Sequence, residues 1–163
     1  MTQTISIFWY RRDLRLEDNV GLYHALNGGF SVLPIFIFDN NILDKLDNKS
    51  DRRVDFIHSA LEKMNVKVNS FDSSIRVFHS SPKKAFEELV GEFSIDCVYA
   101  NQDYEPYAIS RDNEIEKFLG AKGIKFKTFK DQVILEKSEV TKADGKPYTV
   151  FTPYSKVWKQ RIT

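Results

Sequence analysis

The sequence has little cysteine, little glycine and almost no net charge, and each shortage excludes something. A single thiol, Cys97, rules out an intramolecular disulfide and a cysteine-based zinc site, and suits a reducing compartment. Seven glycines are present, yet none forms the G-x-G-x-x-G turn of a dinucleotide site, the G-x-x-x-x-G-K-[ST] phosphate loop or the G-x-S-x-G elbow of a hydrolase. No apolar run approaches the roughly 20 residues of a membrane helix, and Met1–Ser6 carries no basic leader. With 24 basic against 23 acidic side chains, the net charge of +1 is too small for a protein that grips nucleic acid over its whole surface. The three histidines, His24, His58 and His79, lack metal-ligand spacing, and Glu87 and Glu88, adjacent on one helix, point in different directions.

What is present is a well-provisioned core. In 163 residues, 42% are hydrophobic, with thirteen Phe and seven Tyr, enough for one domain without covalent staples. Five short runs read as strands: Ile5–Tyr10, Ser31–Phe38, Ile75–Phe78, Ile95–Ala100 and Ile124–Phe129. Pro34 marks the first half of the second run as an edge or a bulge. Between them lie helical patterns. Asn19–Asn27 stops at Gly28-Gly29, and a second helix is capped by Ser50, with Val54, Ile57, Leu61 and Met64 on one face. Ser81-Pro82 opens a third, with Phe86, Leu89, Val90 and Phe93 as its stripe, and a fourth runs from Ala108 to Leu119.

Repeated strand–helix–strand order predicts an α/β fold: a doubly wound, five-stranded parallel sheet with helices on both faces, Rossmann-like, over residues 1–130. Residues 131–163 differ. Val133–Val140 and Tyr148–Phe151 read as extended, Ala143–Lys146 as a turn, and Thr152-Pro153 as the N-cap and first-turn proline of a final helix with Tyr154, Val157 and Trp158. Residues 121–163 hold ten basic and four acidic side chains, either a solvated face or a surface for an anionic partner or neighbouring domain.

Three segments, taken in order, resemble DNA photolyases and cryptochromes. They are Phe8–Asn19 (F-W-Y-R-R-D-L-R-L-E-D-N), Asn101–Tyr107 followed by Arg111-Asp112, and Lys146–Tyr154, with Pro34–Asp39 fitting the second strand. The resemblance implies the N-terminal, antenna-chromophore domain of a deoxyribodipyrimidine photo-lyase; the lone cysteine and the lack of a basic leader point to the cytoplasm. FAD binding, light-driven repair of pyrimidine dimers and contact with damaged DNA would belong to a helical domain beyond this chain, entered through residues 131–163. This chain alone would not catalyse, and its near-neutral charge fits that division. A cryptochrome photoreceptor domain, a stand-alone nucleotide-binding or stress-type module, and an interaction domain docking through the final helix are the alternatives.

For an antenna site, strands two and four are expected to end side by side, with Phe36, Ile37 and Phe38 as apolar walls and Asp103 and Glu105 as acceptors for N–H groups. In deazaflavin-binding relatives, residues at the positions of Asp103 and Arg53 touch the chromophore; in folate-binding relatives, one at that of Glu105 binds the pterin. Methenyltetrahydrofolate, deazaflavin and FMN all remain open, as does an empty crevice. Arg11, Arg12 and Arg15, alternating with Asp13, Glu17 and Asp18, predict a loop fixed by its own ion pairs, or else a contact with an anionic cofactor tail or the next domain.

Overall fold

Strand β1 (Thr4–Tyr10) is buried from Ile5 onward, which its unbroken apolar and aromatic run requires of a strand covered on both faces. A computed structural model, describing residues 4–48 and 50–162, places it at the centre of the sheet. Met1, Thr2 and Gln3 of the leading segment lie outside the described residues. β2 (Ser31–Asp39) and β3 (Arg76–Ser80) follow on one side of β1; β4 (Ser94–Asn101) and β5 (Lys125–Phe129) lie on the other. All neighbours are parallel, in the order β3-β2-β1-β4-β5. The chain thus winds outward from β1, returns, and winds outward the other way, leaving a switch point between β1 and β4.

Helices α1 (Val20–Leu26) and α3 (Arg52–Asn69) cover one face, and α4 (Pro82–Glu92) and α5 (Pro106–Gly120) the other; α2 (Asn40–Leu43) is a single turn after β2. The two-residue period of β1 divides the core between them. Ile5, Ile7 and Trp9 pack with Phe86, Leu89, Ile115 and Leu119. Phe8 and Tyr10 pack with Leu22, Ala25, Leu61, Met64 and Val68. Each large side chain so buried contributes roughly 1.5–3 kcal/mol.

Pro34 behaves as its chemistry demands. β3 begins its pairing opposite Ile35, so Ser31–Pro34 has only β1 beside it among the described residues, and the missing N–H breaks no ladder. Ser81 caps α4 and Pro82 opens it. Other boundaries differ from expectation. Asp51, not Ser50, caps α3, accepting from Arg53 N at 2.8 Å, while Ser50 N donates to Asn48. α5 starts at Pro106 rather than Ala108, the proline occupying the first turn, where its absent donor costs nothing. The α3 stripe divides along its length: Leu61 and Met64 are buried in the core, Ile57 packs against it while also lining a cavity, and Val54 lines that cavity.

The chain divides into two compact units, residues 1–131 and 132–163. In the second, the stretches expected to be extended form no strand. Residues 137–139 make one 3-10 turn whose capping box joins Glu136 and Glu139, three positions apart, a spacing that signals a helical start. The turn at 142–146 forms as expected, with Gly145 at φ 78°. The last helix, α6 (Phe151–Ile162), begins one residue before Thr152, which is therefore inside it and not its cap.

Gly21 is the tightest point between α1 and the sheet. A Cβ there would lie 2.6 Å from Asn101 Oδ1, 2.9 Å from the Phe8 ring and 3.3 Å from the Ala100 backbone. Gly21→Ala is expected to cost about 1–3 kcal/mol, read as a lower urea midpoint at unchanged slope.

Candidate functional site

The strand ends are organised by a buried polar junction. Asn101, closing β4, donates through Nδ2 to Asp13 Oδ2 (2.6 Å) and Asn19 Oδ1 (2.9 Å), and its Oδ1 accepts from Gly21 N (2.8 Å). Asp13 also accepts from Arg11 N and Asn19 Nδ2, and Asn19 caps α1 by accepting from Leu22 N (3.0 Å). Arg11 donates to the carbonyl of Asn101 and, at 2.5 Å, to Asp112 on α5. Burial pushes the Arg11 pKa down while Asp112 opposes the shift. Every one of these groups would be costly if left unpaired.

The arginine-rich loop is therefore not fixed by its own ion pairs. Arg11 reaches α5; Arg12 reaches the loop after β4, 3.4 Å from Asp103 and 2.5 Å from Glu105; Arg15 reaches Asp131 at 2.8 Å. Adjacent charges on a loop leaving a strand point apart, so each finds a partner about a hundred positions away. Asp131 Oδ1 also accepts from Val20 N, placing a carboxylate at the start of α1, where the helix dipole favours it.

Asn101→Asp is expected to lower stability at neutral pH by roughly 2–4 kcal/mol, because two donors vanish and a second carboxylate faces Asp13. Crowding raises the pKa of one carboxyl in the folded state, so the deficit should shrink as pH falls below neutrality and grow as pH rises through that raised pKa. Urea melts of both proteins across pH 5–8 read this directly.

Above the junction, the carboxyl ends of β1 and β2 open into a cavity of about 370 Å³, within the range of small-molecule sites. β2 and β4 do not end side by side, since β1 lies between them; the loop after β4 instead reaches over to the wall. Phe36, Ile37, Phe38, Arg53, Asp103 and Glu105 all line this one space. They differ in what they offer. Phe36 and Phe38 meet edge-to-face at 4.9 Å, on the α1/α3 side, while Ile37, pointing to the opposite face, belongs to the core around Trp9. Arg53 is exposed and folds back onto its helix cap, with Nε 2.9 Å and a terminal nitrogen 2.6 Å from Asp51. That bond holds Asp51 down at about 2. Asp103 and Glu105 are not free acceptors: Arg12 pairs with both, and Asp103 also accepts from Glu105 N. The bond to Glu105 raises the Arg12 pKa.

Other residues also line the space. Arg12, for which the sequence allows either self-pairing within its loop or contact with an anionic group or the next domain, is one of them. Tyr107 donates its hydroxyl to Asp39, which also accepts from Asn41 N, and Lys45 lies 5.8 Å from the Tyr107 ring centroid. Trp9 and Tyr10 lie at the end of β1, and the buried Tyr10 hydroxyl has no hydrogen-bond partner among the described residues. A readable signal existed: R-R-D following an aromatic strand puts charged side chains at the end of a buried central strand, where Arg11 finds a buried carbonyl and Asp112. Among the described residues no His/Cys/Asp/Glu group could hold a metal, and no helix is long and apolar enough to cross a membrane.

The DNA photolyase family model matches residues 6–163. The chain belongs to the DNA photolyase family. It is 30% identical over 153 residues to a deoxyribodipyrimidine photo-lyase from Synechococcus sp., covering 94% of this chain and 31% of that protein. A photolyase from Sulfolobus tokodaii, solved with two FAD molecules and the implication of a novel light-harvesting cofactor, superposes with a TM-score of 0.79 at 34% identity, over 94% of this chain and 34% of that one. A Synechocystis cryptochrome shares the fold, with a TM-score of 0.87 at 16% identity over the whole of this chain and 35% of that one. The chain thus spans about a third of the curated photolyases it matches, and corresponds to the N-terminal domain of the family.

Burial, assisted by the bond to Asp39, pushes the Tyr107 hydroxyl up to about 12. Its folded pKa lies above the unfolded value near 10, so the stabilisation it brings is complete below pH 10 and is lost as pH rises through 12. Ultraviolet phenolate titration of the native protein against Tyr107→Phe should differ only near the upper value.

Proposed function

We propose that residues 1–130 hold a light-harvesting chromophore on behalf of a deoxyribodipyrimidine photo-lyase. In this reading residues 131–163 lead to an FAD-binding helical domain that repairs pyrimidine dimers and makes all contact with damaged DNA. The observation that carries it is the cavity itself: aromatic and aliphatic walls from β1, β2 and α3, closed on one side by the Arg12–Asp103–Glu105 cluster, at the strand ends where doubly wound sheets bind ligands.

The residues fit a flat heteroaromatic group. Phe36 and Phe38 offer ring surface and exclude water. Asp103 and Glu105, each keeping lone pairs after pairing with Arg12, can accept from ring N–H groups. Arg12 and Arg53 suit an anionic tail. The task of these residues would be to orient a chromophore and keep it dry rather than to make bonds, the group itself supplying the absorption of light. Methenyltetrahydrofolate, deazaflavin and FMN all meet this description. The buried free thiol of Cys97 is in keeping with a reducing, cytoplasmic setting.

Incubation with each of the three, followed by gel filtration and absorption and emission spectra, is expected to show one retained in a one-to-one complex. Glu105→Gln and Phe36→Ala should each weaken its retention about tenfold, since a lost charged hydrogen bond or buried ring is worth about 1.4 kcal/mol or more. Retention of none of the three would overturn the reading.

A further inference from the structure

Trp9 sits in a setting that chromophore binding alone does not call for. Its indole is 2% exposed and forms part of the cavity wall. Two guanidinium groups lie over the ring, Arg111 with its Cζ 4.8 Å from the centroid and Arg11 at 5.1 Å. Both side chains are nearly buried and share one carboxylate, Asp112, at 2.9 Å and 2.5 Å. The indole therefore has two guanidinium groups directly against its ring in a poorly hydrated place, with Asp112 between them and Asp13 acting on Arg11 from further along the loop. Arg11 is needed for the junction with Asn101. Arg111 is not: its hydrogen bonds go to the neighbouring Asp112, which keeps Arg11 as a partner without it.

Indole is among the most readily oxidised side chains, and an excited heteroaromatic ligand is a much stronger oxidant than the same ligand in its ground state. One electron can leave the indole for the excited ligand and return in recombination; nothing is consumed, but the excitation is lost as heat. Cations beside the ring oppose the first step, because the indole would become positive next to charges that repel it. We propose that Arg111, with Arg11, guards Trp9 against oxidation, so that the excited state of a ligand in the cavity outlives electron transfer from the wall. This rests on the light-harvesting reading for its purpose, though the protection of Trp9 is a property of the chain itself.

The test uses the full chain with Trp158→Phe, leaving Trp9 as its single tryptophan, and adds Arg111→Met, Arg111→Lys, or Arg111→Met with Trp9→Phe. Without ligand, photo-oxidation by tris-bipyridine ruthenium and persulfate is expected to give severalfold more tryptophanyl radical in Arg111→Met, and the original yield in Arg111→Lys; equal yields overturn the proposal. With FMN bound, Arg111→Met should shorten the emission lifetime severalfold, and Trp9→Phe should restore it. An unchanged lifetime in FMN-bound Arg111→Met overturns the proposal and leaves the cavity reading standing. Failure of FMN to bind counts against that cavity as an FMN site, and the ligand-free radical yield then decides the matter of Trp9.

Discussion

At the carboxyl end of the central strands, the Asn101 amide commits both its hydrogens and its oxygen to groups some eighty positions earlier: Asp13, Asn19 and the backbone of Gly21. Its own carbonyl takes the Arg11 guanidinium. This is the point where the chain, having wound one way from β1, turns to wind the other, and four backbone segments must converge without water. A parallel sheet leaves polar groups at such a place, and their satisfaction by one another sets where the following loops can go. The start of α1 and the aim of Arg11 both follow from it.

The cavity inherits its shape from that junction. Arg11 and Arg12 are consecutive, so they leave β1 in different directions, one into the junction and one toward the loop after β4. The first fixes the floor under Trp9; the second draws Asp103 and Glu105 across the strand ends and so forms a wall from a strand that is not adjacent to the rest. Asp39 and Tyr107 add a second link between β2 and α5. Rigid elements on two sides and a loop after β4 are tied together around the recess by ion pairs and a hydroxyl.

Much of this was legible in the sequence. The order of strands and helices, the cap at Ser81 and the meaning of Pro34 follow from local chemistry, because periodicity and backbone restriction act over a few residues. The six expected site residues do converge on one cavity. What local reading missed was pairing at a distance. Opposite charges alternating along residues 11–18 suggest mutual neutralisation, yet a loop leaving a strand aims consecutive side chains apart, and the partners are at positions 103, 105, 112 and 131. Asp103 and Glu105, expected as acceptors for a ligand, pair with Arg12 for the same reason. The extended look of 133–140 came from β-branched residues; E-K-S-E within it carries the capping signal that forms the turn actually present.

The half-open flank of β2 and the outer strand β5 have a bearing on how such a sheet behaves in company. An unpaired strand edge is a template on which another chain can add itself. Along Ser31–Pro34 the exposed run ends at a residue with no N–H to offer an incoming strand, just before β3 takes over. On the far side, β5 alternates exposed Lys125 and Lys127 with Phe126 and Thr128. An imino acid where β2 runs ahead of β3 and ammonium groups along the outer strand β5 each make a poor template for an added strand.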